Sequence, residues 1–182
     1  AKSYVSFIHR VRAAERSLGS TELSETVSKY LFKLMAYKDE YEVARLSLDS
    51  ALEDDIKSQF GDEAKFSYRL HPPMLRALGM DSKISIPQAA GKQMFKALYL
   101  MRKVRGTKLD PFGRAHVRVV ERELIDEYKS AISTLIDRLS ADGLASAVEI
   151  ASLPDMVRGY EDIKMRNVAV YRAKLYELMP RS

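Results

Sequence analysis

The chain has 182 residues, 46% of them hydrophobic and 30% charged, a balance that excludes a disordered or membrane-embedded chain and suffices for the core of one domain. It has no Cys, which excludes disulfides, thiolate-held iron–sulfur clusters and a Cys nucleophile within these residues. A net charge of +5 and an isoelectric point near 9.3 favour acidic partners, yet 25 acids interspersed with 30 bases leave only local clusters to dock them. No apolar run approaches the roughly 20 residues that span a bilayer, and the start AKSYVSFIHRVR lacks the apolar segment of a secretory signal. A cytoplasmic location is expected.

Gly and Pro, eight and six in number, gather between periodic segments rather than inside them, which predicts a mainly α fold of helices joined by a few ordered loops. The first helix is expected over residues 4–18, with Val5, Ile8, Val11 and Leu18 on one face and Gly19-Ser20 as stop and restart. Leu23, Val27, Tyr30, Leu31, Leu34 and Met35 then recur at three- and four-residue steps. The pattern resumes through Val43, Leu46, Leu52 and Ile56, predicting a second helix, or a continuation of the one before, that runs to about Phe60-Gly61. Between residues 62 and 87 the period changes. Phe66, Tyr68 and Leu70 alternate with polar residues, His71-Pro72-Pro73 forbids a helix, and residues 84–87 form a second extended piece, so a short β-hairpin or extended insertion is expected, turning at 74–79. Met94, Ala97, Leu98 and Met101 mark a helix that ends near Arg105-Gly106. The clearest helix is predicted over residues 114–139, where Val117, Val120, Leu124, Tyr128, Ala131, Leu135 and Leu139 keep a three-four alternation. A shorter helix follows Asp142-Gly143 and ends at Leu153-Pro154, and residues 163–178 form the last, with Tyr171, Leu175 and Leu178 inward. The expectation is a single helical domain over residues 1–182, a bundle of about six helices.

No complete catalytic, metal or cofactor constellation is spelled out. His9, His71 and His116 are far apart and none has a second ligand at helical spacing. The pairs Asp39-Glu40, Asp54-Asp55 and Glu161-Asp162 are adjacent, so on a helix their members diverge. There is no Gly-rich phosphate loop and no GxSxG. Four cations in residues 102–108 (RKVRGTK) could contact an anion or nucleic acid, or simply offset the negative end of a helix dipole; stacking aromatics are not interleaved with them. Leu109-Asp110-Pro111-Phe112-Gly113 reads as a turn in which Phe112 is an anchor, Asp110 makes a local bond and Gly113 supplies a positive φ. Lys38, Asp39, Glu40, Tyr41, Glu42 and Arg45 crowd charge into one turn, and a network bracing helix against loop is favoured over a ligand site. Arg158-Gly159-Tyr160, with Lys164 and Asn167 beyond, reads as a helix junction where Arg158 meets a carboxylate of another helix.

At four places the chain resembles the C-terminal domain of indolepyruvate ferredoxin oxidoreductase-type enzymes, large thiamine diphosphate-dependent 2-oxoacid oxidoreductases. The segments are residues 30–46 (YLFKLMAYKDEYEVARL), 66–75 (FSYRLHPPML), 104–113 (VRGTKLDPFG) with Glu121-Arg122 beyond, and 153–167 (LPDMVRGYEDIKMRN). The family pattern would favour Gly-His where Glu161-Asp162 stands and a small residue where His71 stands. The resemblance implies a non-catalytic assembly or docking domain, a fragment of a larger enzyme or a Met-trimmed subunit, that is inactive alone. Its parent would convert 2-oxoacids to acyl-CoA with thiamine diphosphate, magnesium, iron–sulfur clusters and coenzyme A, none of them held by this chain. The implied partners are other domains or subunits of that enzyme and ferredoxin, and a homodimer is compatible with it. The candidate polar network or interface comprises Lys38, Asp39, Glu40, Tyr41, Arg45, Arg105, Asp110, Arg158, Lys164 and Asn167, with residues 38–45 and 104–113 sharing one surface. The alternative is a free-standing helical module that binds nucleic acid or another anion through residues 102–108.

Overall fold

A computed structural model describes residues 2–37, 39–63, 65–70, 84–107, 109–159 and 161–179. Among them are eight α-helices: α1 Lys2–Glu15, α2 Glu22–Met35, α3 Glu40–Ser47, α4 Ser50–Phe60, α5 Gln88–Met101, α6 His116–Ile136, α7 Leu144–Ser152 and α8 Glu161–Leu178. Two strands, β1 Ser67–Leu70 and β2 Ile84–Pro87, pair antiparallel in the register Ser67↔Pro87, Tyr68↔Ile86, Arg69↔Ser85 and Leu70↔Ile84. The fold is therefore mainly helical with a small antiparallel pair, as expected. The turn predicted at 74–79, His71, Lys38 and Tyr160 lie outside the described residues. No described helix is long and apolar enough to cross a membrane.

The helix number exceeds six partly because the pattern from Val43 to Ile56 hides a break. Leu48 ends α3, and Asp49 leaves the helical region (φ −68, ψ 128) to cap α4, its carboxylate accepting the Ala51 N–H at 3.1 Å. Both helices keep their apolar residues in phase, so periodicity alone joins them.

Residue contacts divide the chain into two compact units, residues 1–37 with 119–182, and residues 38–118. The chain passes between the units twice, between α2 and α3 and again within α6, and neither crossing carries a shift of composition that a sequence pass would register. In the first unit the core comes from α1, α2, α6, α7 and α8, with Val11, Leu23, Leu31, Leu124, Ile132, Ile150 and Tyr171 essentially inaccessible. The predicted stripe of α6 is buried at Val120, Leu124, Tyr128, Ala131 and Leu135. On α1, Val5 is 48% exposed rather than inward; the inner face runs Tyr4, Ile8, Val11 and Glu15. Tyr4 anchors it, its hydroxyl reaching Ser28 O at 3.0 Å on α2. The Tyr128 hydroxyl ties α6 to α7 by donating to Ala151 O at 2.8 Å.

In the second unit α3 packs on α5, and the hairpin lies on α5 as well. Tyr68 of β1 stands between Phe66 and Phe95, edge-to-face with centroid distances of 5.3 and 4.8 Å. Gly91 makes this possible, since a Cβ there would meet Tyr68 Cδ2 at 2.4 Å.

Candidate functional site

The densest polar constellation lies in the second unit, where α3 begins and the turn after α5 folds back. Asp39 is extended (φ −90, ψ 179) and caps α3, Oδ1 accepting the Glu42 N–H at 2.9 Å while Oδ2 meets Arg105 Nε at 2.6 Å. One carboxylate thus satisfies a helix terminus, where the dipole favours negative charge, and holds the far loop. Tyr41, one turn on, is buried and donates its hydroxyl to Asp110 Oδ1 at 2.8 Å. Its ring meets Phe112 edge-on at 5.5 Å.

Asp110 organises the loop. Its Oδ2 accepts the Gly106 N–H at 2.7 Å, and its Oδ1 accepts the N–H groups of Phe112 at 3.1 Å and Gly113 at 2.9 Å. Burial pushes this carboxyl up, but the Gly106, Gly113 and Phe112 amides and the Tyr41 hydroxyl outweigh burial and hold it below its ordinary range. Tyr41 is driven strongly upward by burial first and then by donating to that carboxylate. A carboxylate this heavily hydrogen-bonded is a poor proton acceptor, and the phenol facing it a poor acid. The pair suits architecture better than general acid–base chemistry.

The expected positive φ is not at Gly113. It is at Gly106 (φ 74), while Gly113 is required by space, since a Cβ there would stand 2.4 Å from Asp110 Oδ2. Glu40 pairs with Arg118 at 3.3 Å through Oε1; its Oε2 is buried and has no hydrogen-bond partner among the described residues. Arg45 is not part of the clasp: it pairs along its own helix with Glu42 at 2.8 Å.

The first unit holds a second constellation. Lys164 of α8 pairs with Glu121 of α6, whose side chain is only 5% exposed. Lys33 of α2 donates to Pro154 O at 2.8 Å and Asp155 O at 2.9 Å, in the 3₁₀ turn Leu153–Met156. Burial lowers the Lys33 pKa, partly countered by Asp155. Lys33, Glu121 and Lys164, with Leu34, Tyr37, Leu124 and Val157, line a cavity of about 70 Å³. Arg158 pairs with Asp155 at 2.7 Å, three residues back, instead of with another helix. Asn167 of α8 donates to Arg158 O at 2.8 Å and fastens the junction at Gly159, where φ is 93. Among the described residues no group of three His, Asp or Glu is placed to hold a metal, and a chain without Cys offers a cluster no thiolate.

The ten candidate residues therefore divide. Asp39, Tyr41, Arg105 and Asp110 come together, with Glu40 beside them on α3; Arg45 is on α3 but pairs with Glu42; Lys164, Arg158 and Asn167 belong to the other unit; Lys38 lies outside the described residues. Sequence reasoning missed Glu15, which is fully buried and caps α2 from α1, accepting the N–H groups of Leu23 at 2.7 Å and Ser24 at 2.9 Å. Burial raises its pKa, but these hydrogen bonds together bring it below normal. Its one signal was position, four residues after Val11 on the inner face.

Residues 1–177 match the model of a family of unknown function, DUF6537, and the chain belongs to that family. No curated protein and no solved structure matches it.

Proposed function

We propose that this member of the DUF6537 family is a non-catalytic assembly or docking domain, the C-terminal helical part of an indolepyruvate ferredoxin oxidoreductase-like enzyme acting in the cytoplasm. Thiamine diphosphate, magnesium, the iron–sulfur clusters, coenzyme A and any contact with ferredoxin belong in this reading to the rest of that enzyme. One observation carries the assembly role. The charged residues of the resembling segments bind one another within each unit: Asp39 with Arg105 and Tyr41 with Asp110, and likewise Lys33 with Asp155 and Glu121 with Lys164. Charge spent on mutual pairing braces loops against helices and supplies no nucleophile with its base.

The test is purification of the protein from its native cells under gentle conditions. It should travel with, or be continuous with, a polypeptide that reduces a viologen dye in the presence of a 2-oxoacid and coenzyme A, whereas the isolated chain gives no turnover. Turnover by the isolated chain, or a native protein free of any such oxidoreductase, would overturn the reading.

A further inference from the structure

Between Asp81 and Asp110 the sequence contains no acid and seven Lys and Arg, more than the whole net charge of +5. Two of these are neutralised at home, Lys92 by Glu53 at 2.5 Å and Arg105 by Asp39 at 2.6 Å. Lys96, Arg102 and Lys103 are exposed and form no ion pair among the described residues. Lys96 is on α5, and Arg102 and Lys103 are in the 3₁₀ turn Arg102–Val104 that continues it; α5 has two unlike sides. Gly91 and Phe95 face the interior, whereas Ala90, Gln93, Ala97 and Leu100, three or four residues apart, share a side that is exposed along its length. Leu100 is 65% and Met101 40% exposed. The result is a largely aliphatic strip, interrupted by Gln93, with cations at its edge and C-terminal end.

We propose that this side of α5, from Ala90 to Met101, together with Arg102 and Lys103 of the 3₁₀ turn that follows it, docks an acidic, amphipathic segment of a partner protein, with aliphatic side chains meeting Leu100 and Met101 and carboxylates meeting Lys96, Arg102 and Lys103. Charge complementarity selects an acidic occupant, and the aliphatic centre selects protein. Single-stranded nucleic acid is held by cations interleaved with free aromatic faces. Here Tyr99 is the ring at hand, and the Arg102 guanidinium already lies 3.7 Å from its centroid. A lipid surface needs a wide, bulky apolar face to insert, and this strip offers one Leu and one Met among alanines. The inference rests on the docking role proposed above but not on the identity of the enzyme served.

The experiment titrates the full chain into four labelled probes at low salt: an amphipathic helical peptide of Leu and Glu, an all-Glu peptide of equal charge, a single-stranded oligonucleotide, and vesicles of phosphatidylserine and phosphatidylcholine. The Leu/Glu peptide should bind tightest. Its affinity should fall about tenfold with Lys96→Glu and with Leu100→Ser, and much less with Lys174→Glu, which removes the same charge from an exposed site on α8. Circular dichroism checks that each variant stays folded, and a paired variant, Lys103→Glu, replaces Lys96→Glu if it does not. No peptide binding, equal binding of the all-Glu peptide, tighter binding of oligonucleotide or vesicle, or an equal loss with Lys174→Glu would each overturn the inference. None of these outcomes touches the association with an oxidoreductase, which co-purification reads separately.

Discussion

Of the hydrophobic side chains buried among the described residues, all but Tyr41, Ala44 and Phe95 belong to the unit of residues 1–37 and 119–182. There α1, α2, α6, α7 and α8 converge on a mostly apolar core, with a few buried polar contacts such as Tyr128 to Ala151 inside it. The unit of residues 38–118 has a ring cluster at Tyr68 and a clasp of carboxylates, amides and a phenol. The contrast teaches that helical composition does not dictate how a unit is held. Apolar burial acts without direction and tolerates approximate geometry, whereas a clasp acts through direction and charge, so a single wrong atom undoes it.

Substitutions aimed at one unit should leave the other alone, and the largest effect is expected in the aliphatic core. Leu124→Ala leaves a cavity at a side chain that is 1% exposed, and should cost about 3 kcal/mol by urea unfolding. Amide exchange in α3 and α5 should be unaltered; faster exchange there would erase the distinction between the units. Asp110→Ala strips four hydrogen bonds from a buried loop and should cost about 2–3 kcal/mol. Exchange should accelerate in residues 39–47 and 104–113 while the amides of α2 and α6 stay protected.

Acid sharpens the same point. The Asp110 carboxyl is lowered in the folded chain, so the unfolded chain binds the proton more readily. Its stabilisation is complete above the ordinary Asp value of about 4 and is lost as pH falls from there through the folded value. The wild type should therefore lose more stability between about pH 5 and pH 2 than Asp110→Asn, and parallel pH curves would show that folding does not lower the Asp110 pKa. Glu15→Gln, which keeps the shape of the α2 cap but removes its charge, should cost about 1 kcal/mol. Smallest of all, Arg158→Ala breaks a pair at a 68% exposed side chain and should leave the unfolding midpoint unmoved.

The contrast also explains which features sequence could reveal. The stripe of α6 and the inner face of α2 were legible because aliphatic burial writes itself at a fixed period, and the strand pair was legible because Phe66, Tyr68 and Leu70 alternate before a Pro pair. A shared surface for residues 38–45 and 104–113 was expected from the charge of the two resembling segments; the bond from Tyr41 to Asp110 was not, since no period links them across 69 positions. Gly113 misled because a glycine after Asp-Pro-Phe suggests a turn conformation, when what it provides is room. Asp49 was passed over because the apolar phase continues through the break it caps. Glu15 escaped because a buried acid looks like an error in an apolar stripe until its two amide donors, eight and nine residues on, are in view.

That short span gives Glu15 a bearing on the order of events as the chain folds. Closing so small a loop costs little chain entropy compared with the distant pairings of α2 with α7. The contact also delivers its acceptor to amides that α2 cannot satisfy by itself. A helical hairpin of α1 and α2 thus satisfies the first amides of α2 from its own residues, without help from any residue beyond 119.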